Sequence, residues 1–199
     1  MYYFFSTDHI YWNSELLTAK LISKIDDFDT YVWWSGKSCV IPTLTFAVRQ
    51  EAPLLDMYRW IGGIDIYSEK LVSVLENFQV KMETFPVHVI DILTIQEVPC
   101  AYKVFHLLSS LSALDTAKTE FAHYRSPTGS KEIVIPRRMV LSEEILLTQP
   151  PMFRIAEHQS LVVIHQALKE AIESEGITGR WFSPISEYTV EMSGLERIR

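Results

Sequence analysis

The sequence predicts an α+β fold: a mixed, mainly antiparallel sheet with flanking helices, arranged as two pseudo-repeated halves. Three observations predict it. Short apolar runs with strand-like alternation outnumber helical ones. Connections of about ten residues between strand candidates disfavour a doubly wound parallel sheet. Residues 57–60, Met-Tyr-Arg-Trp, are echoed at 152–155 as Met-Phe-Arg-Ile.

Taken in order, the aromatic residues 2–5 suit a strand. Asn13 or Ser14 can cap a helix to about residue 25, with Leu17, Leu21 and Ile25 on one face. Asp26, Asp27 and Asp29 end it. Tyr31-Val32-Trp33-Trp34 reads as a strand stopped by Ser35-Gly36, and residues 40–48 read as another, with Pro42 marking an edge or a bulge. Residues 64–67 alternate as a strand. Ser68 then caps a helix whose Leu71, Val74, Leu75 and Phe78 recur at helical spacing. Residues 80–90 are extended around Pro86, and residues 101–109 alternate as a strand near the sheet centre. Residues 126–130 form a turn, 131–136 a short strand, and 142–147 one or two helical turns.

The echo continues past residue 155. Residues 163–168 lie over 66–71, Ala171-Ile172-Glu173 over Val74-Leu75-Glu76, Ile177 over Val80 and Phe182 over Phe85. Gly176 suits the left-handed close of the second helix. Each copy therefore reads strand, turn, strand, helix, strand, as expected for two similar halves, about 1–100 and 101–199, of a single domain spanning 1–199.

Apolar residues make up 48% and charged residues 22%, which excludes a disordered chain. The net charge of -7 is uneven: residues 1–100 hold 7 basic and 13 acidic residues, residues 101–199 hold 11 and 12. The acidic front half disfavours nucleic acid and favours a basic protein partner. Two cysteines, Cys39 and Cys100, make neither a disulfide framework nor a four-ligand zinc site. The N-terminal run lacks the basic and long apolar regions of a signal peptide, and no stretch approaches a membrane span. A cytoplasmic chain with reduced thiols, no membrane contact and no cofactor is expected.

Candidate chemistry is sparse. Trp34-Ser35-Gly36-Lys37-Ser38 ends like a phosphate-binding loop, but Tyr31 stands where the first glycine belongs. Asp26, Asp27 and Asp29 resemble the start of a calcium loop without its glycine or closing glutamate. Nothing in the sequence sets a His or Asp beside Cys39, so a small, partly buried thiol is the simpler reading. His88, His106 and His123 lie in separate segments, and His165 falls where the first copy has Ser68, which suggests capping. Arg59 and Arg154 occupy equivalent places, each needing a carboxylate or carbonyl partner if buried; a cross-strand ion pair is the first expectation. The strongest surface candidate is the acidic aromatic segment with Asp26, Asp27, Asp29, Tyr31, Trp33 and Trp34, a composition suited to gripping a basic protein, although both Trp also suit a core.

A Met152-Phe153-Arg154 strand precedes a helix with Leu168-Lys169-Glu170-Ala171-Ile172. Gly176-Ile177-Thr178-Gly179-Arg180-Trp181-Phe182 and a proline follow. This pattern, with Ser68-Glu69-Lys70-Leu71 and Phe85-Pro86-Val87 in the first half, resembles the immunity proteins of bacterial polymorphic toxin systems, in particular the immunity protein 43 group and the related immunity protein 11 group. The resemblance covers about residues 55–185. It implies a small cytoplasmic protein that binds and neutralises a cognate toxin domain by occluding it, with no catalysis of its own. The alternatives are a small hydrolase using Cys39 and a histidine, and an accessory protein that pairs with itself.

Overall fold

A computed structural model describes residues 1–7, 19–23, 33–49, 54–59, 63–99, 101–125 and 132–188. The first sheet has six strands in the order β2(Lys20–Leu21), β3(Leu44–Val48), β6(Met82–Asp91), β7(Tyr102–Leu107), β5(Asp65–Ser68), β4(Met57–Arg59). The second has five: β13(Arg180–Pro184), β1(Tyr2–Thr7), β12(Val162–His165), β11(Met152–Ile155), β8(Ser110–Leu111). β9(Glu120–Arg125) and β10(Glu132–Arg138) form a separate antiparallel ribbon. Among the described residues, only β3–β6 and β8–β11 pair in parallel. The fold is mixed α+β, as the sequence predicts.

Three short helices lie wholly among the described residues: α1(Glu69–Asn77), α2(Glu143–Thr148) and α3(Gln166–Ser174). Ser68 Oγ caps α1 by accepting from Leu71 N at 3.2 Å, and His165 Nδ1 caps α3 by accepting from Ala167 N at 3.3 Å. Gly176 takes φ +63 just beyond α3, as a helix-closing glycine should.

Period-two alternation sorts the strands between three cores. Tyr67, Phe105, Met57, Ile164, Met152 and Phe5 point into a central core, which Leu71, Leu75, Leu168 and Ile172 of α1 and α3 complete. Their neighbours Tyr58, Ile66 and Val104 fill a second core on the other face of the six-stranded sheet, with Trp33, Phe46 and Leu44. Phe153, Val163 and Phe4 fill a third on the other face of the five-stranded sheet.

The two sheets share one arrangement of four strands. β6-β7-β5-β4 and β13-β1-β12-β11 are antiparallel at every step. The register agrees as well: Met57 faces Tyr67 as Met152 faces Ile164. The fifth element comes from different places, β7 from the middle of the chain and β1 from its start, so the sheets do not divide the chain at residue 100. The likeness slips after the helices. Phe5 faces Phe182, whereas Phe105, its counterpart, faces Thr84. Phe182 therefore corresponds to Thr84, not to Phe85, and the one-residue slip sends the two phenylalanines to different cores.

Polar ties join the sheets. Asp56 accepts from Ser68 Oγ at 2.6 Å and from both Thr178 N and Oγ1 at 2.9 Å. Gly179, at φ +77, lets the backbone approach closely: a Cβ there would stand 2.7 Å from Met57 O.

Three local expectations are corrected. Lys20 and Leu21 pair with β3, so no continuous helix runs to residue 25. Trp33 and Trp34 are helical, because Trp33 turns inward into the second core instead of joining a ladder. β3 begins at Leu44, leaving Pro42 outside the ladder, which a residue without an N–H cannot join fully.

Candidate functional site

β6 and β7 are neighbours, and their register sets Glu83 directly opposite His106. His106 shares the outer face of its strand with Tyr102 and Val104 and is 0% exposed. Its ring stacks on Trp33, centroids 4.1 Å apart and planes 16° apart. His106 Nε2 lies 3.1 Å from Trp33 O. A carbonyl oxygen only accepts, so Nε2 carries a proton, and Nδ1 is the nitrogen turned toward Glu83 and Cys39.

That Nδ1 lies 3.4 Å from Glu83 Oε2 and 3.8 Å from Cys39 Sγ. The loop before β3 brings Cys39 there, held by Cys39 N donating to Glu83 Oε2 at 3.3 Å and by Ser38 Oγ donating to Glu83 Oε1. Gly36 lets this loop close on the sheet: at φ +68, a Cβ would stand 2.8 Å from Leu108 O. Thiol, imidazole and carboxylate thus have donor atoms all within 4.8 Å of one another.

Burial holds the His106 imidazole below its ordinary value, against the opposing pull of the Trp33 carbonyl and Glu83. Burial also works to raise Glu83, but hydrogen bonds from Ser38, Cys39 N and His106 outweigh it and hold the carboxyl low. Burial, then the Glu83 charge, pushes the Cys39 thiol up. A protonated thiol is a weak nucleophile. In a nucleophile–imidazole–carboxylate relay the acid grips the ring nitrogen remote from the nucleophile. Here Cys39 and Glu83 face the same nitrogen, and the remote one faces a backbone carbonyl.

Cys39 is a partly buried free thiol, as its sequence context suggests, and strand pairing with loop closure brings His106 to it from a separate segment. Nothing in local spacing could have signalled it.

Of the sequence-predicted surface residues, Asp26, Asp27, Asp29 and Tyr31 lie outside the described residues. Trp33 is 2% exposed, a core residue packed against His106 and Phe85. Trp34 is 38% exposed, and its indole covers Gly63, where a Cβ would meet Nε1 at 2.7 Å. Val40, 97% exposed, lies beyond it on the same loop.

Arg59 makes the expected cross-strand pair: its Nε lies 2.9 Å from Asp65 Oδ1 and its Nη2 3.2 Å from Oδ2, while Nη1 donates to Ser6 Oγ at 3.1 Å. Arg154 does not. Its Nη1 donates to Gln159 O at 2.5 Å, and its buried Nε has no hydrogen-bond partner among the described residues. His88 and Glu97 form an exposed pair at 3.7 Å. Among the described residues no helix is long and apolar enough to cross a membrane.

A family model described as Immunity protein family (Imm11) matches residues 36–187, from the loop before β3 to the turn after β13, with β1 and β2 outside the matched range. No curated protein matches the chain.

Proposed function

The chain belongs to the Imm11 immunity protein family, and from that premise we propose that it binds a cognate bacterial toxin domain in the cytoplasm and neutralises it by occlusion. The family match carries this reading. Occlusion needs a shaped surface and no chemistry of the chain's own, and an interface of about 1,600 Å² in total suffices for it.

The contact surface we assign is the segment 26–34 and the loop after it. Asp26, Asp27 and Asp29 supply a negative field, Tyr31 and Trp34 supply aromatic contacts, and Trp33 is the anchor that fixes the segment to the core. Such a surface suits a basic toxin, whose approach it accelerates.

Co-expression with the variable C-terminal domain of a neighbouring toxin gene tests the function: the chain restores growth and co-purifies with that domain. Growth arrest despite full expression of the chain would overturn it. The surface is tested by Asp26→Lys, Asp27→Lys and Asp29→Lys together. The triple variant lowers the association rate with the toxin at low salt by at least about tenfold, and an unchanged rate would reject this placement.

A further inference from the structure

We propose that Cys39, Glu83 and His106 form a binding site for a divalent zinc-type ion. The observation that carries it is the convergence of three ligand types from separate segments: thiol, imidazole and carboxylate donor atoms all lie within 4.8 Å of one another. With Nε2 turned to Trp33 O at 3.1 Å, Nδ1 is the ring nitrogen that faces Glu83 Oε2, at 3.4 Å. Cys39 Sγ, 3.8 Å from the same nitrogen, closes the triangle.

The dimensions suit zinc. Tetrahedral bonds to sulfur, nitrogen and oxygen would set sulfur and nitrogen about 3.6 Å apart, and nitrogen and oxygen about 3.3 Å apart. The observed separations are 3.8 Å and 3.4 Å. The donor types, one sulfur, one imidazole nitrogen and one carboxylate oxygen, favour zinc over calcium or magnesium, which prefer all-oxygen shells. Charge also balances: a thiolate and a carboxylate neutralise a dication around a neutral imidazole, so the buried site carries no net charge.

The supporting contacts are those that ligands need. A metal-bound histidine ordinarily gives its other N–H to a carbonyl or carboxylate, which Trp33 O supplies here. Ser38 Oγ holds the second carboxylate oxygen of Glu83. His106 is wholly buried while Cys39 and Glu83 are partly exposed, which leaves a solvent-side position for a fourth ligand. Binding replaces the thiol proton by the metal, Cys–SH + Zn²⁺ → Cys–S–Zn⁺ + H⁺, with no change of oxidation state. The ion would pin the loop carrying Ser38 and Cys39 to β6 and β7, next to the Trp33 anchor.

The test uses the full chain, purified under reducing conditions and stripped with a chelator. Zinc titrated by calorimetry binds at one ion per chain with proton release, and raises the melting temperature with concentration. Cobalt in place of zinc gives a thiolate-to-metal charge-transfer band and the intense ligand-field bands of four-coordination. Cys39→Ser abolishes the charge-transfer band, and Glu83→Gln weakens zinc binding at least about tenfold. Cys100→Ser leaves both unchanged. His106 variants can fail to fold, so the two partly exposed ligands carry the test. No stoichiometric uptake, or a charge-transfer band that survives Cys39→Ser and vanishes with Cys100→Ser, would overturn the site. Both measurements use the chain alone, so their outcome is independent of the toxin reading.

Discussion

The β4–β5 hairpin and the β11–β12 hairpin have the same register and different polar contents. Arg59 faces Asp65 across the first, whereas Arg154 faces Val162 across the second. Ser68 caps α1, and His165 caps α3. Glu83 faces His106 across β6–β7, whereas Trp181 faces Ser6 at the corresponding place across β13–β1. The residues that both halves turn into the central core are apolar in each: Met57 and Met152, Leu71 and Leu168, Leu75 and Ile172, Val80 and Ile177. The shared space between the sheets constrains those positions jointly. The outer faces meet different surroundings, so their polar residues differ, and among the described residues the thiol, imidazole and carboxylate cluster lies on the six-stranded sheet alone.

The comparison is open to direct attack. Leu71→Ala and Leu168→Ala, both wholly buried, each cost about 2–5 kcal/mol in denaturant unfolding, and the two losses agree within about 1 kcal/mol. Unequal losses would break the claim that the positions are equivalent in the core.

The two arginines give the sharpest asymmetry. The Asp65 carboxylate holds Arg59 above its ordinary range against the lowering effect of burial, while burial holds Arg154 below it. Asp65→Asn leaves Arg59 without its ion-pair partner and costs about 2–4 kcal/mol. Arg154→Met removes a buried charge with no carboxylate opposite and costs less than about 1 kcal/mol, or stabilises. Urea unfolding of both variants checks the order, and a larger loss from Arg154→Met would reverse the assignment.

The caps differ least in energy and most in pH response. Ser68→Ala costs about 1–2 kcal/mol, because the hydroxyl serves both Leu71 N and Asp56. His165 accepts only while Nδ1 is unprotonated. Burial holds its folded pKa low, with the N-terminal ammonium adding to this and Glu170 opposing it; the Tyr2 ring stands edge-on at 5.1 Å. The unfolded chain then binds the proton first. The stabilising difference is complete above about pH 6.5, the unfolded value, and is lost as pH falls through the lower folded value. His165→Ser, which installs the cap of the first half, flattens this part of the acid limb in melting temperature between about pH 7 and pH 5. An acid limb identical to that of the parent chain would remove His165 from the account.

Much of the fold was legible where local chemistry decides it. The helix of residues 69–77 follows from Ser68 and from the spacing of Leu71, Val74 and Leu75, and the second from its parallel pattern and Gly176. The strand at Tyr102–Leu107 follows from alternation, and its place between β6 and β5 agrees with its apolar content. β8 is two residues long, too short to leave a pattern, and exists because β11 offers it a parallel edge. Phe182 and Phe85 follow their helices at equal spacing, yet the pairing of Phe182 with Phe5 shifts the register by one residue.

By itself the sequence determined the class of fold and the helices that follow Ser68 and His165, since periodicity, capping and turn residues act over a few positions. Only the tertiary structure decided which strands lie side by side, which face each aromatic residue occupies, and that Cys39, Glu83 and His106 meet. Those outcomes depend on pairings between residues distant in the chain, and a one-residue change of register moves a side chain from one core to another without altering any local pattern.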